Sequence, residues 1–442
     1  MNLIVAFPEC FLVAGLAVTF ILNLFRSNGK EALKTSPALI LITAILCFLA
    51  NTSCPELAFN GLFVSDENTS FLKVIFLIFT AICALLNEDK KQDILFGIIA
   101  LGICITVSSG NLLVLLMGIA IIFASLYGLF YLDWRTVAES KKISLSPFVL
   151  TAAFGFASIC IGIIFTLFDI SPLFGSAFII IGLLIKMGAA PFQTWISATF
   201  KDTSDATAAL FVNVLSFLFL FVLFRLIYEN FLELKSIYEP LLLTVAIITI
   251  VLNSFMALRA ENTKLFLAHA SLVNLGIALS LFAIGITPRT YTIALFFFIL
   301  QAPVGIGLFA LLGRFSFLSE IKGTATTSPK STFLLIIFIL SIAGAPPFST
   351  FLGKYLLLQE MILSTHYLPA LFVIMGMIFA FAYCIKIIED IFTGNENEET
   401  EKPRTPIFII TILCVLSSLF LIFFSYELLN LCKMASEALI QK

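Results

Sequence analysis

Residues 341 to 355 read SIAGAPPFSTFLGKY, and residues 179 to 192 read IIIGLLIKMGAAPF. Each stretch sets one lysine, Lys354 or Lys186, among apolar side chains and close to proline. A charge at the centre of a bilayer costs at least about 2.5 to 3.5 kcal/mol on insertion scales, so each lysine requires an explanation. Lys186 stands about eight residues from either end of its apolar run, too deep to snorkel to water. Pro191 removes a backbone donor and Gly188 loosens the same turn, so the helix carrying Lys186 is expected to break beside the charge. Pro346 and Pro347 must interrupt the span before Lys354, and the carbonyls they free need partners in protein or water.

Apolar runs of this kind make up most of the 442 residues: the chain is 60% hydrophobic and 12% charged, with a mean hydropathy of +1.11. Soluble domains run at roughly 45 to 50% apolar and about 25% charged. A water-soluble globule, a disordered chain, a collagen and a secreted disulfide scaffold are all excluded, the last because nine cysteines lie far apart without a CxxC pair. Most of those cysteines sit in apolar runs and read as small buried hydrophobes. A net charge of −2 offers no footprint for nucleic acid, and two histidines leave little for a metal site. Met1 to Pro8 carries no basic residue, so the chain is expected to be inserted as made, without a cleaved signal or an Arg-rich presequence.

A helix crossing about 30 Å of hydrocarbon needs about 20 mostly apolar residues, and uninterrupted runs do not fit the alternation of a barrel. The expected architecture is an all-α membrane protein with fourteen spans. They lie near 3 to 25, 37 to 53, 70 to 86, 94 to 109, 111 to 131, 147 to 168, 174 to 195, 205 to 228, 239 to 258, 264 to 286, 290 to 313, 331 to 358, 366 to 388 and 405 to 428. Loop charge tests that count, because Lys and Arg favour the cytoplasmic or matrix side. Seventeen basic residues, from Arg26 to Arg404, follow odd-numbered spans and six, among them Lys73, Arg225 and Arg289, lie on the other side. Both termini are therefore expected to face outward. The stretch Thr393 to Arg404, TGNENEETEKPR, reads as a solvated loop, and no large soluble domain fits between spans.

The spans holding Lys186 and Lys354 are five apart, and a five-span repeat places its second copy upside down. Interrupted segments in corresponding positions of two halves point to inverted repeats around an ion pathway. A lysine withdrawn from water can both hold and release a proton, so both are candidate proton sites rather than staples paired with a carboxylate. His269, in LAHASLVNLG near the start of the tenth span, is a candidate relay or a hydrogen-bonded packing residue. Asn213, Ser216, Asn253, Asn274 and Gln301 could line a hydrated file or bond between helices. Glu9 is expected at the interface, Lys73 as a snorkeller at a helix end, and Phe296-Phe297-Phe298 as lipid or core packing. No GxGxxG, Walker A, HExxH or GxSxG pattern supports chemistry on a bound substrate.

At these residues the chain resembles the antiporter-like, proton-translocating membrane subunits of respiratory complex I, NADH:quinone oxidoreductase, in the branch called chain N in bacteria and chain 2 in mitochondria. Phe7-Pro8-Glu9 approaches that family's opening Leu-Pro-Glu. Lys186 with Pro191-Phe192 and Trp195 resembles its seventh-helix lysine motif, with Gln193 where histidine is usual. Met256 to Lys264, MALRAENTK, resembles its entry to helix ten, and Ser341 to Tyr355 resembles its twelfth-helix signature almost residue for residue. The resemblance covers roughly residues 110 to 390. It implies a pump arm with no cofactor of its own, driven by NADH oxidation and quinone reduction elsewhere, packed against other membrane-arm subunits in lipid and exchanging protons with water. The membrane implied is the mitochondrial inner or bacterial cytoplasmic one. Lys186 would be the central proton site of the first half-channel and Lys354 that of the outward-leading half.

The same resemblance divides the chain into N-terminal helices at 1–109, a first repeat at 110–228 with its helix four from about 94, a second inverted repeat at 239–392, and a C-terminal helix and tail at 405–442. Three positions depart from it. Ala120 falls where the family carries a fifth-helix glutamate, Ser216 where an eighth-helix lysine is usual, and Asn274 where helix ten has a histidine. Without the glutamate Lys186 lacks the partner that favours its charged form. Two alternatives follow: a subunit of a multisubunit sodium-resistance cation/proton antiporter, which shares the lysines and broken helices, and an arm subunit that kept the fold while its first half-channel stopped pumping.

Overall fold

In hydrocarbon each backbone N–H and C=O must be satisfied within its own segment, and the apolar runs accordingly fold as helices. The computed structural model describes residues 6–25, 34–50, 56–137, 146–393 and 405–440. The readings made on the first five residues, Arg26, Lys30, Cys54, Lys141, Lys142, the acidic connection at 394–404 and Lys442 lie outside the described residues.

The helices are α1 (Phe7–Phe25), α2 (Ser36–Leu49), α3 (Glu67–Leu86), α4 (Asp93–Val107), α5 (Leu112–Val137), α6 (Ser146–Leu167), α7 (Pro172–Met187), α8 (Thr194–Thr199), α9 (Asp205–Leu210), α10 (Ser216–Asn230), α11 (Lys235–Arg259), α12 (Thr263–Ala283), α13 (Pro288–Leu312), α14 (Thr324–Thr327), α15 (Pro329–Ala343), α16 (Ser349–Leu363), α17 (Tyr367–Phe392), α18 (Thr405–Phe420) and α19 (Ser425–Ile440). A π-helical turn at Phe211–Leu215 joins α9 to α10 into one continuous rod. Caps set several starts: Asp66 and Thr69 form a reciprocal capping box on α3, and Thr287 and Thr290 another on α13, whose first helical residue is Pro288.

Among the described residues, eight helices are long and apolar enough to cross a bilayer, nine if α18 and α19 count as one bent crossing, and five more apolar helices are shorter. Helix ends fall within a few residues of the expected spans except at three places. The expected 405–428 span turns by 92° after Phe420, because α19 leaves the line of α18 to dock on the protein. There Asn68 donates to the Ala435 carbonyl at 2.8 Å, and the Thr292 and Ser436 hydroxyls lie 2.7 Å apart. Between α2 and α3 a short antiparallel hairpin, β1 (Glu56–Ala58) with β2 (Phe63–Ser65), interrupts the helical pattern. The third place is the pair of breaks described below.

The window of α13 is wholly enclosed by protein, and those of α9–α10 and α12 are 94% enclosed, whereas α6 and α17 are only 33% enclosed. The first three form the core and the latter two face outward. Phe298 of α13 stacks on Phe76 of α3 at 4.8 Å and on Phe217 of α10 at 5.1 Å, which puts the Phe296–Phe298 run in the core rather than in lipid. Polar links at the helix ends join only residues that the loop charges assign to one side. Asp93 accepts from Thr35 and Ser36, Asp133 from Gln92 and Ser204, and Lys264 pairs with Asp205 at 3.2 Å. At the other end Val64 N–H donates to Ser108, Arg225 donates to the Val107 and Ser109 carbonyls, and Arg289 pairs with Glu360 at 2.6 Å.

Two expectations are corrected here. Lys73 does not snorkel and Glu9 is not solvent-facing: both are buried, and their ammonium and carboxylate meet at 2.6 Å under the Phe63 ring, whose centroid lies 4.7 Å from Lys73 Nζ. Snorkelling is ruled out because β1–β2 covers that helix end and each charge has a partner nearer than water. Of the cysteines, Cys10 is exposed and Cys160 half-buried, while Cys47, Cys83, Cys104, Cys384, Cys414 and Cys432 are buried. Removing one member of a buried ion pair strands the other, at about 3–5 kcal/mol. Lys73→Met is therefore expected to lower the thermal transition of the detergent-solubilised protein clearly, and Lys73→Met combined with Glu9→Gln to recover most of the loss.

Candidate functional site

The two breaks have one design. Met187-Gly188-Ala189-Ala190-Pro191-Phe192 and Ala343-Gly344-Ala345-Pro346-Pro347-Phe348 align residue for residue. In each the helix stops at a glycine in the left-handed region, Gly188 at φ +74° and Gly344 at φ +83°, and a cis X–Pro bond follows at the same offset. The closing hydrogen bonds also correspond: Gly188 N–H to Ile185, Ala189 to Leu184 and Phe192 to Ala189 in the first, Gly344 to Ser341, Ala345 to Leu340 and Phe348 to Ala345 in the second. Chain resumes as α8 and as α16.

Lys186 lies in the last turn of α7 and is 1% exposed. Its ammonium donates to the Ala152 carbonyl of α6 at 3.0 Å and sits 3.5 Å from the ring centroid of Phe123 on α5. Phe123, Phe148, Thr151, Ala152, Ile185 and Trp195 close around it, leaving no space for a water-sized sphere. Lys354 lies in α16, is 1% exposed, and points back across the break to donate to the Ile342 carbonyl at 2.7 Å. Thr350 donates to the neighbouring Ser341 carbonyl. The carbonyls that the sequence required to find partners are thus held by the lysine and the threonine of the resumed helix. In the aligned breaks Ile342 occupies the position of Lys186: Lys354 bonds the carbonyl at that position from after its gap, whereas Lys186 stands at that position before its gap and bonds Ala152 of α6. Among the described residues neither lysine has a carboxylate within ion-pairing distance.

His269 is buried in the second turn of α12. Its Nδ1 lies 2.8 Å from Asn253 Oδ1 of α11 and its Nε2 3.2 Å from Ser197 Oγ of α8, so it ties the resumed half of the first broken span to the second half of the chain. No hydrogen bond joins His269 directly to either lysine among the described residues. Of the amides, Asn213 accepts from Ser271 at 3.1 Å, Ser216 bonds back to Phe211, and Asn253 holds His269. Asn274 Oδ1 and both amide atoms of Gln301 are buried with no partner among the described residues. Each such atom left dry costs about 1–3 kcal/mol. Asp133 lies inside α5 and is held by Gln92 and Ser204, away from Lys186 in the bonding pattern. Three side chains that sequence reasoning did not single out also belong to the site: Phe123, one of 49 phenylalanines, Ser197 and Thr350. Among the described residues no three His, Cys, Asp or Glu side chains converge to hold a metal.

The model of the family described as NADH:quinone oxidoreductase/Mrp antiporter, TM, matches residues 109–380. A relative named NADH-quinone oxidoreductase subunit N, from Ruthia magnifica subsp. Calyptogena magnifica, is 26% identical over 94% of this chain and 93% of its own. Two solved structures share the fold. One is the Mrp complex from a Dietzia species, at TM-score 0.84 and 16% identity over 99% of this chain and 98% of that one. The other is respiratory complex I from Thermus thermophilus with bound Aureothin, at TM-score 0.77 and 18% identity over 95% and 99%.

At Gly344 a Cβ would meet the Lys354 stem at 2.8 Å, and the φ of +83° is one that L side chains adopt at about 1–2 kcal/mol. Gly344→Ala should lower thermal stability by at least that amount and pull Lys354 off its carbonyl. Gly285→Ala, where the nearest atom is 3.7 Å away, should change neither stability nor transport, and a thermal melt of both variants distinguishes them.

Proposed function

The chain belongs to the NADH:quinone oxidoreductase/Mrp antiporter transmembrane family, and from that premise we propose that it is a proton-translocating membrane-arm subunit of NADH:quinone oxidoreductase, of the subunit N kind. It would reside as a multi-pass protein in a bacterial cytoplasmic or mitochondrial inner membrane, beside other arm subunits, with the redox chemistry carried elsewhere in the complex. Fourteen crossings are reached when the five shorter apolar helices and the bent α18–α19 pair each count as one. The segregation of polar links at the two helix ends supports that count, and the matching breaks support two inverted repeats at 110–228 and 239–392.

The observation that carries the reading is that each buried lysine is bonded to a main-chain carbonyl and not to a carboxylate. A carboxylate would lock the ammonium in its charged form, whereas a carbonyl accepts more strongly from an ammonium but still accepts from a neutral amine. Each lysine can then lose and regain its proton without breaking the hydrogen bond that places it. Lys186 receives a proton in the first half, and Lys354 passes it outward from the second. Between them His269, held by Ser197 and Asn253, offers a group that both donates and accepts. The unpartnered atoms of Asn274 and Gln301 mark where water is needed to complete the path.

The fold likeness to the Mrp complex keeps one second reading in view, a cation/proton antiporter subunit. Comigration of the purified chain with flavin and iron-sulfur subunits supports the first reading, and rescue of sodium-sensitive growth supports the second. For the pump itself, Lys354→Met should abolish the protons per electron that this chain carries while the complex assembles normally. Lys354→Arg, which keeps a charge but cannot release its proton, should fail in the same way. Undiminished pumping by either variant in sealed vesicles would refute the role given to Lys354.

A further inference from the structure

Lys186 meets a surface that Lys354 does not. Its ammonium spends one N–H on the Ala152 carbonyl and otherwise faces the Phe123 ring, 3.5 Å from the centroid, with Phe156 farther off at 5.8 Å. That ring is held from several sides. Phe148 stacks against it at 6.2 Å with planes 14° apart, and Phe219 of α10 lies at 5.7 Å. Phe148 is braced in turn by Phe130 at 4.7 Å and by Trp195 of α8 at 5.3 Å. The aromatic cluster therefore spans α5, α6, α8 and α10, and it holds the nearer of the two rings that lie over the charge. Ala120, one helical turn earlier on α5, presents no charge.

We propose that Phe123 is the charge partner of Lys186, a positioning residue whose ring face selects the protonated lysine in the place where a carboxylate would otherwise stand. The inference rests on the reading of Lys186 as a proton site. A ring quadrupole attracts an ammonium and has little hold on a neutral amine, so it adds to the preference for the charged state that the bond to the Ala152 carbonyl already gives. The cleft is lined mostly by apolar and aromatic side chains, and cation–π attraction is at its strongest when desolvated. Unlike a carboxylate, the ring has no site for a proton. It can favour the charged state of Lys186 without competing for the proton that the lysine must pass on.

The test uses the assembled complex in sealed vesicles and reads protons translocated per electron. Lys186→Met defines the share that depends on Lys186. Phe123→Leu should lose much of that share, because removal of the ring lowers the ratio of protonated to neutral lysine by about 2- to 30-fold. Mono-, di- and trifluorophenylalanine at position 123 keep the shape and progressively weaken the ring face. They should give a graded decline, with phenylalanine inserted by the same route restoring full pumping. A purely structural role would not follow that gradation. The fluorinated series also decides the matter if Phe123→Leu fails to assemble. A flat response across the series while Lys186→Met loses pumping would overturn the role of Phe123 alone. Full pumping by Lys186→Met would overturn the reading of Lys186, and this proposal with it.

Discussion

An ammonium enclosed in protein needs an acceptor, and the carbonyls of a continuous helix are mostly engaged already by the N–H four residues on. The chain resolves this by stopping a helix. A glycine in the left-handed region and a proline that cannot donate leave the last carbonyls of α7 and α15 without their usual partners. In the second break Lys354 and Thr350 take up those carbonyls; beside the first, Lys186 donates instead to the Ala152 carbonyl of the unbroken α6. The break and the lysine are thus two halves of one device, and the rest of the bundle holds them in register.

The core is arranged around that device. The continuous α9–α10 rod, α12 and α13 are enclosed on nearly all sides, and their phenylalanines interlock with α3 and α5. Within this apolar mass the polar side chains are few and placed at helix crossings: His269 between α8 and α11, and Asn213 against Ser271. In a low-dielectric interior each such bond is stronger and each omission costs more, so these residues help define where the helices meet. The buried Glu9–Lys73 pair follows the opposite rule. There a carboxylate does face the lysine, and the pair joins α1 to α3 near one end of the bundle, apart from the two breaks. One chain therefore contains a lysine neutralised by a carboxylate and two that are held by neutral acceptors.

Family membership agrees with this division. The match over residues 109–380 takes in both breaks, His269 and the enclosed helices α9–α10, α12 and α13, and leaves outside it α1, α2, the hairpin, α3, α4 and α18–α19. Those outlying elements nevertheless bond to the matched region. Asn68 reaches the Ala435 carbonyl and Tyr291, and Thr292 meets Ser436, so the ends of the chain clamp α13 from one side.

What the amino-acid order settled by itself is whatever depends on one segment at a time. Run length and hydropathy placed the helices, Gly188-Pro191 and Gly344-Pro347 placed the breaks, and depth within an apolar run marked Lys186 and Lys354 as costly. Each of these follows from the price of exposing a charge or a backbone group in hydrocarbon, which is local. Only the tertiary structure decided which atoms meet: Ile342 with Lys354, Ala152 and Phe123 with Lys186, Ser197 and Asn253 with His269, and Glu9 with Lys73. These partners are brought together by helix packing, and all-round apolar helices carry no periodic face from which that packing could be read. The turn of the chain at Phe420 has the same origin, since α18 and α19 form one apolar run until α19 finds its seat on α3 and α13.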